Sequence, residues 1–332
     1  MTRAAVLGIL LACGAAVQAA TPAPFSARPE VRAFIQEMVE RHRFVQRELE
    51  YVFDRVRREP AILNAIQPPV RKERRPWSAY RANFVNERHA EAGSQFWRMH
   101  RASLERAQRE FGVPEEVIVS ILGIETFYGR NTGRWRVVDA LATLAFDYPP
   151  RADFFRGELA NYLLLARESG FEVFSVRGSY AGAIGIPQFM PGSHLRYALD
   201  FDGDGVADLR ASATDAIGSV GNFLKQHGWQ SNAPVGAVAS VSGEGYKPYA
   251  DGSVDPKHWV ADLAKAGVRF EGVPSEARAA LIELDNGAAP SEYRLGLVNF
   301  YVLTRYNRSS FYASAVMDLA AALRAARQPD GR

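Results

Sequence analysis

The segment 115–130, EEVIVSILGIETFYGR, is a strongly apolar helical pattern that contains one carboxylate, Glu125, within its apolar part. Ile118, Ile121, Leu122 and Glu125 follow the spacing i, i+3, i+4 and i+7, so they share one face of a helix. This face must meet a core, where burial disfavours the charged carboxylate and raises its pKa. A carboxyl group of that kind suits general acid catalysis. A structural ion pair with an arginine, or a cap on a neighbouring helix, is the alternative interpretation.

The length and charge of the chain limit what it can be. A chain of 332 residues can bury a sizeable core, in one large or two modest domains. The formal net charge is only +3, which fits an acidic polymer as partner without requiring one. We do not expect nucleic acid as the partner, because no basic helix with interleaved aromatic residues recurs along the chain.

The first 20 residues have the layout of a secretory signal. Arg3 precedes an apolar run, and small residues follow as far as Ala20, so we expect export to the periplasm. Cys13 lies in a sequence that resembles a lipoprotein processing site, and an outer-membrane lipid anchor is therefore the alternative. It is the only cysteine, so the fold is predicted to have no disulfide. No later stretch has the roughly 20 apolar residues that a membrane span needs.

Most of the chain has the periodicity of amphipathic helices. In the first pattern, 29–58, the residues Val31, Phe34, Ile35 and Met38 share one face. Further helical patterns cover 90–111, 137–146, 152–169, 211–227 and 309–327. The composition changes between 229 and 296, where short β-like runs surround the hairpin signal at 285–287. The sequence therefore predicts a mainly α fold with a small inserted β element.

The segment 177–191, RGSYAGAIGIPQFMP, combines several glycines with two prolines and cannot form a regular helix. Glycine allows the backbone to approach a ligand closely. Ser179 and Gln188 offer hydrogen bonds to hydroxyl or amide groups, as carbohydrate recognition requires. The alternative is an ordinary glycine-rich connection.

An acidic segment at 200–208 has the ligand spacing of a calcium-binding loop. Positions 1, 3, 5, 7 and 9 are Asp200, Asp202, Asp204, Val206 through its carbonyl, and Asp208. Gly205 fits the sharp turn at position 6. Position 12, which is usually a bidentate glutamate, is Ala211, so Asp215 or water would have to complete the site. An Asp-rich turn that caps the next helix is the alternative.

The chain resembles the lytic murein transglycosylases of the membrane-bound type B, a lysozyme-like group that acts on bacterial peptidoglycan. The segments that carry the resemblance occur in the family's order between residues 80 and 326: ILGIETFYGR, DALATLAFDYP, GSYAGAIGIPQFMP, DFDGDG, DAIGSVGNFLKQHGW and NFYVLTRYN. The resemblance implies a lysozyme-like helical core, an added α lobe, a small β lobe and one structural Ca²⁺ in an EF-hand-like loop. It also assigns the chemistry to Glu125.

The resemblance further implies a division of the chain and a set of sugar-contacting residues. The expected parts are a signal peptide at 1–20, an α lobe at 21–110, a catalytic core at 111–228 with the calcium loop at 200–215, a β lobe at 229–298, and a C-terminal segment at 299–332. The substrate-binding residues that it implies are Ser179, Gln188, Asn307, Tyr312, Tyr80 and Arg151. Two positions depart from the family pattern, Phe223 in place of Tyr and Pro150 in place of Arg.

Glu125 has no second acid in its own motif, which fits a reaction that needs only one carboxylate. The expected reaction is cleavage of the bond between N-acetylmuramic acid and N-acetylglucosamine, with attack by the muramoyl C6 hydroxyl to give a 1,6-anhydro ring. Glu125 would act first as acid and then as base. The alternatives are a muramidase that uses water, and a non-catalytic module that binds peptidoglycan glycan strands. In each case we expect a monomer.

Overall fold

A computed structural model describes residues 24–67 and 75–327 of the chain. The predicted secretory signal and Cys13 lie outside the described residues. The described residues form two compact units, one that ends at Val56 and one that begins at Arg57. No described helix is long and apolar enough to cross a membrane.

The first unit consists of a 3-10 turn, Phe25–Ala27, and the helices α1, Pro29–His42, and α2, Gln46–Arg55. The four apolar residues predicted to share a face of α1 are all buried. The predicted pattern 29–58 is interrupted at Arg43, which has a left-handed backbone with φ of 57°. Because the chain turns at Arg43, Val45 lies between α1 and α2, and its side chain is 56% exposed.

The second unit is mainly helical. Its helices are α3 Pro60–Ile66, α4 Trp77–Arg81, α5 Glu87–Met99, α6 Arg101–Phe111, α7 Glu115–Thr126, α8 Val137–Asp147, α9 Ala152–Ser169, α10 Pro191–Tyr197, α11 Ala213–Gln226, α12 Val260–Lys265, α13 Val298–Tyr306 and α14 Ser310–Arg327. The pattern 152–169 is one helix, as predicted. The pattern 90–111 is divided into α5 and α6 at His100, and α13 is a helix that the sequence analysis missed.

The helix α7 lies in the core of this unit. Ile118, Ile121 and Leu122 are fully buried, as their spacing predicted, and α7 packs against α5, α6, α11 and α14. The helix ends at Thr126, before the predicted segment does, because Phe127 and Tyr128 both have left-handed backbone with φ of 51° and 60°. Two consecutive non-glycine residues in this region store strain just after the helix.

Tyr128 fills the space between α5 and α7. Its hydroxyl donates a 2.9 Å hydrogen bond to the carbonyl of His89. A Cβ at Gly123 would lie 2.6 Å from this hydroxyl oxygen, so only glycine allows the ring to pack against α7 at this place. The close contact fixes the turn that follows the helix.

The first two strands, β1 Trp135–Arg136 and β2 Arg177–Gly178, form a two-stranded ribbon outside the β lobe. The β lobe is a five-stranded antiparallel sheet of β3 Gly236–Val241, β4 His258–Trp259, β5 Val268–Phe270, β6 Arg278–Asn286 and β7 Ala289–Gly296. The strand order in this sheet is β4-β6-β7-β3-β5. The hairpin predicted at 285–287 is the turn between β6 and β7, and Gly287 supplies its positive φ of 66°.

The sheet is buried on both faces along β6. Ile282 and Leu284 pack in the helical core, whereas Leu281 packs in a separate apolar cluster of the β lobe. A buried ion pair joins the sheet to α14, because Arg294 Nη1 lies 2.9 Å from Asp318 Oδ1. The observed architecture agrees with the predicted mainly α fold with a small β lobe.

Candidate active site

Glu125 lies in the last turn of α7, and Tyr312 lies in the first turn of α14. The hydroxyl of Tyr312 donates a 2.8 Å hydrogen bond to Oε1 of Glu125. Tyr312 is almost fully buried, whereas Glu125 keeps a partly exposed side chain. The carboxyl group is therefore fixed on one side by protein and accessible on the other.

Burial raises the pKa of Glu125 to about 7, against the opposing effect of the hydrogen bond from Tyr312. The bond lowers the pKa because a donated hydrogen bond stabilises the charged form. No carboxylate of the described residues contributes to this shift. Glu125 can therefore hold or release a proton near neutral pH, which is the property expected of a general acid and base.

Two further tyrosines surround this carboxyl group. The ring of Tyr306 stacks on that of Tyr312, with centroids 6.3 Å apart and an interplanar angle of 11°. Burial raises the pKa of Tyr80 to about 12, with a smaller contribution from the charge of Glu125. Burial and the same charge also raise the pKa of Tyr306 and Tyr312. All three phenols therefore stay protonated and can act as hydrogen-bond donors.

The glycine-rich segment 177–191 is held by two side-chain hydrogen bonds, one from the last residue of α7 and one from the last residue of α13. Thr126 Oγ1 donates to the carbonyl of Ile186 at 2.8 Å, and Tyr306 Oη donates to the carbonyl of Pro187 at 2.6 Å. The segment forms turns and short bridges, as predicted for a stretch that cannot be a regular helix. These contacts place Gln188 beside the end of α7.

Gln188 has a left-handed backbone with φ of 52°. Its side-chain amide donates to the carbonyls of Thr132 at 3.1 Å and Gly185 at 2.8 Å. Gln188, Phe127 and Tyr128 are thus non-glycine residues with positive φ around the same helix end. Strained backbone of this kind occurs preferentially at functional sites.

The remaining predicted substrate residues are less closely connected to Glu125. Ser179 organises its own turn, since its hydroxyl oxygen accepts hydrogen bonds from the amides of Ala181 at 3.3 Å and Ala183 at 3.0 Å. Asn307 is exposed at the end of α13. Arg151 is exposed before α9, with its guanidinium 4.2 Å from the ring centroid of Phe154. The structure thus brings Tyr80 and Tyr312 close to Glu125 and Gln188 to the end of α7. It shows no contact from Asn307 or Arg151 to Glu125 within the described residues.

The two departures from the family pattern lie in different settings. Phe223 is buried in an aromatic cluster, where its ring lies 4.9 Å from that of Tyr306 and 4.0 Å from that of His227. Phenylalanine therefore packs at this position without needing a partner for a hydroxyl group. Pro150 is exposed in a 3-10 turn, Pro149–Arg151, at the start of α9.

Tyr306 is the site residue that the sequence analysis missed. It lies six residues before Tyr312, but the chain leaves α13 and enters α14 between them, so helical spacing could not relate the two rings. The segment NFYVLTRYN, which contains Tyr306, resembles the family but carries no local pattern that marks Tyr306 as a site residue. The role of Tyr306 depends on the carbonyl of Pro187, which is distant in sequence.

The acidic loop brings together three of the predicted calcium ligands. Asp200, Asp202 and Asp204 are exposed, and each offers a carboxylate oxygen within 4.8 Å of the others. Gly203 and Gly205 supply positive φ values of 83° and 95°, which allow the loop to fold around this cluster. Hard oxygen donors clustered in this way fit Ca²⁺.

The other predicted ligands have contacts of their own. Asp215 is buried at the start of α11, and its carboxylate accepts hydrogen bonds from the amides of Phe201 at 2.7 Å and Asp208 at 2.9 Å. The side chain of Asp208 pairs with Arg210, and the carbonyl of Val206 accepts from the amide of Asp208 at 3.0 Å. In the described structure Asp215 therefore holds the two ends of the loop together.

Comparison with known proteins relates most of the chain to one family. The family described as the transglycosylase SLT domain matches residues 26–321. The chain is 38% identical over 312 residues to the membrane-bound lytic murein transglycosylase B of Escherichia coli (strain K12), and the match covers 91% of this chain and 85% of the relative.

Two solved structures agree with this result. The soluble lytic transglycosylase SltB1 from Pseudomonas aeruginosa is 46% identical, with a TM-score of 0.85, over 90% of this chain and 99% of that chain. The Escherichia coli lytic transglycosylase Slt35 in complex with calcium is 38% identical, with a TM-score of 0.83, over 91% of this chain and 95% of that chain. The lysozyme-like fold expected from the sequence is thereby confirmed.

Proposed function

We infer the roles of the site residues from one premise: the chain belongs to the lytic transglycosylase family and is an enzyme that cleaves peptidoglycan. We propose that Glu125 is its single acid and base. The observation that carries this proposal is a carboxyl group with a pKa of about 7 that is partly exposed and hydrogen-bonded by Tyr312. The proposed target is the β-1,4 bond between N-acetylmuramic acid and N-acetylglucosamine.

In the first step protonated Glu125 donates its proton to the glycosidic oxygen. The bond from muramoyl C1 to this oxygen breaks, and the N-acetylglucosamine unit leaves as an alcohol. Because Tyr312 donates to Oε1, the proton is carried by Oε2, which has no hydrogen-bond partner among the described residues. Tyr312 thus orients the acid towards the substrate, and it stabilises the carboxylate that forms.

In the second step the muramoyl C6 hydroxyl attacks C1. A C6–O–C1 bond forms and closes the 1,6-anhydro ring, and the hydroxyl proton passes to the Glu125 carboxylate. This transfer restores the acid for the next cycle, and no water is consumed. One carboxyl group suffices because its two tasks follow one another, and because its pKa lies close to working pH.

The surrounding residues are proposed to position the sugar. Gln188 and Ser179 belong to the glycine-rich segment beside α7, and Tyr80 lies close enough for the charge of Glu125 to affect its pKa. Asn307 and Arg151 are exposed and available to more distant parts of a glycan strand. Tyr306 is proposed to hold the segment in place through Pro187.

We propose that Asp200, Asp202 and Asp204 hold a structural Ca²⁺, with the carbonyl of Val206 and the carboxylates of Asp208 and Asp215 as further candidate ligands. The oxygen cluster supports this assignment, and the relative Slt35 was solved in complex with calcium. When bound, the ion would neutralise the mutual repulsion of the aspartates and stabilise the loop before α11. It has no part in either proton transfer.

We propose that peptidoglycan glycan strands are the partner and that the protein is a monomer exported to the periplasm by its signal peptide. The alternative is an outer-membrane lipoprotein anchored through Cys13. We also propose the division of the chain that the sequence predicts, into 21–110, 111–228, 229–298 and 299–332. The last three follow elements inside the second compact unit, whereas the first extends beyond the division at Val56.

The direct test of the proposed acid is Glu125→Gln on purified peptidoglycan. The variant should still sediment with peptidoglycan, and its rate of release of soluble muropeptides should fall by about 10² to 10⁴ or more, the usual contribution of general acid catalysis. Glu91→Gln, on the exposed face of α5, is the matched control and should retain wild-type activity. Release at the wild-type rate by Glu125→Gln would show that another group is the acid.

A further inference from the structure

A cavity of about 230 Å³ lies where the junction of α5 and α6 meets the end of α14. Its lining residues are Ser94, Trp97, Arg98, Arg101, Ala326 and Arg327. We call it the arginine cavity. Among the described residues no aspartate or glutamate lines it, so three guanidinium groups are the only charges on its walls.

The arginine cavity and Glu125 lie at opposite ends of the same pair of helices. At one end of the pair, Tyr312 of α14 hydrogen-bonds Glu125 of α7. At the other end, Arg327 Nη1 lies 3.2 Å from Glu115 Oε2. A helix rises about 1.5 Å per residue, so Glu115 and Glu125 lie about 15 Å apart along α7. The cavity is therefore separate from the candidate active site.

The arginines of the cavity have more charge and more donors than their acidic partners satisfy. Arg98 is exposed and forms no hydrogen bond or ion pair with any described residue. Arg101 pairs with Glu105 only through Nε, at 2.7 Å, and Arg327 pairs with Glu115 only through Nη1. Three guanidinium groups against two carboxylates leave a net charge of +1, and most of the guanidinium nitrogens have no acceptor among the described residues.

Two further features of the cavity favour an anion. The helix α6 begins at Arg101, and the preceding His100 provides no side-chain cap. The first turn of a helix presents N–H groups that its own carbonyls do not satisfy, and this end carries a partial positive charge. The wall of the cavity is also firm, because the guanidinium of Arg327 lies 4.5 Å from the ring centroid of Trp97, and the indole of Trp97 donates a hydrogen bond to buried Glu115.

We propose that the arginine cavity binds a phosphoryl group. A phosphoryl group carries up to two negative charges and three acceptor oxygens, which suit guanidinium groups that approach from two different segments of the chain. A carboxylate has one charge and is already satisfied by a single guanidinium in a bidentate pair. The cavity is smaller than the roughly 300 Å³ and more of a usual small-molecule pocket, so it suits a small group.

Two sources supply this chemistry, a soluble phosphate or phosphate ester and the headgroup of an anionic phospholipid. Met99, which follows Arg98, is 65% exposed. An exposed apolar side chain beside cationic residues strengthens binding to an anionic membrane surface, because apolar burial adds to the electrostatic attraction. The experiment therefore has one part for each source.

The first part is a titration of the purified protein with inorganic phosphate, without calcium and at an ionic strength held constant with sodium chloride. A ligand that binds only the native state stabilises it by mass action, so the melting temperature should rise and saturate. The general stabilising effect of phosphate does not saturate and acts on all variants alike. Arg98→Gln should raise the phosphate concentration of half-saturation about tenfold, as expected for lost charge-assisted hydrogen bonds.

Arg269→Gln is the matched control, because Arg269 is an exposed arginine on β5 outside the cavity and should leave the titration unchanged. Arg98 is exposed and has no partner in the described part of the chain, so Arg98→Gln should melt like the wild type without phosphate. This comparison separates a lost binding site from a damaged fold.

The second part measures sedimentation with vesicles of phosphatidylglycerol, and with vesicles of phosphatidylcholine for comparison. If the group is a lipid headgroup, Arg98→Gln and Met99→Ser should both weaken sedimentation with phosphatidylglycerol, whereas Val238→Ser, at an exposed apolar residue of β3, should not. If the group is soluble, Arg98→Gln should change the phosphate titration alone. The inference is overturned if Arg98→Gln behaves like Arg269→Gln both with phosphate and with phosphatidylglycerol vesicles.

Discussion

The hydroxyl of Tyr312 hydrogen-bonds the carboxyl of Glu125 at 2.8 Å, although the two residues are 187 positions apart. The contact is made across the packed interface of α7 and α14. It opposes the effect of burial on the pKa of Glu125, so it determines how readily the carboxylate forms. The acid therefore depends on a helix at the other end of the chain.

Removal of this bond should change the pH dependence of the enzyme. The free enzyme needs protonated Glu125, so kcat/KM of the wild type should fall as pH rises through about 7. Tyr312→Phe deletes the donor, which should raise the pKa of Glu125 and move this fall roughly one pH unit higher. Rates on peptidoglycan should be measured between pH 5 and pH 9. Tyr51→Phe, at an exposed residue of α2, is the control and should leave the midpoint in place. If the pH at which kcat/KM falls is also unchanged in Tyr312→Phe, the hydrogen bond from Tyr312 does not affect the pKa of Glu125.

Glu125 should also reduce stability at neutral pH. Its pKa is about 7 in the folded protein and 4.5 ordinarily, so the folded state binds more protons between these values. Glu125 therefore has no effect on the free energy of unfolding below about pH 4.5. As the pH rises further this free energy falls, and above pH 7 it is lower by roughly 3 kcal/mol than for a carboxyl group with an ordinary pKa. Glu125→Gln, which carries no charge, should melt higher than the wild type at pH 8 and equally at pH 4.5.

This difference is measured by thermal unfolding at the two pH values, with Glu91→Gln as the control. Glu91 lies exposed on α5, so its replacement should change neither melting temperature. An equal effect of Glu125→Gln at both pH values would mean that the carboxyl of the folded protein has an ordinary pKa.

Calcium should stabilise the fold through the acidic loop. An ion that binds only the native state raises stability by mass action, by about 2.7 kcal/mol at 100 times its Kd. Addition of Ca²⁺ should therefore raise the melting temperature, and a chelator should reverse the change. Asp200→Ala and Asp204→Ala should abolish the effect, whereas Asp255→Ala, an exposed acid of the β lobe, should keep it. A melting temperature insensitive to Ca²⁺ would leave the loop as a plain Asp-rich turn.

The sequence predicted those features that depend on local pattern. The helix α9 and the hairpin between β6 and β7 were predicted from periodicity and turn residues. The burial of Ile118 and its neighbours followed from the spacing in α7, and that spacing also identified Glu125. These features need no knowledge of distant parts of the chain.

Other features could not be predicted because they arise from contacts between distant segments. Tyr306 reaches the site only through the carbonyl of Pro187 and the ring of Tyr312. The early end of α7 follows from positive φ values at Phe127 and Tyr128, which neither residue type favours. Tertiary packing, rather than residue type, decides each of these.

The most direct test of the account is digestion of peptidoglycan in water labelled with heavy oxygen, followed by mass spectrometry of the released muropeptides. Intramolecular attack from a held geometry has an effective molarity on the order of 10⁵ M or more, which exceeds that of water at about 55 M. We predict that the new muramoyl ends are 1,6-anhydro rings, each lighter by one water than a hydrolysis product, and that they contain no label. Labelled reducing muramic acid as the main product would contradict the proposed mechanism, because it would show that water, and not the C6 hydroxyl, attacks C1.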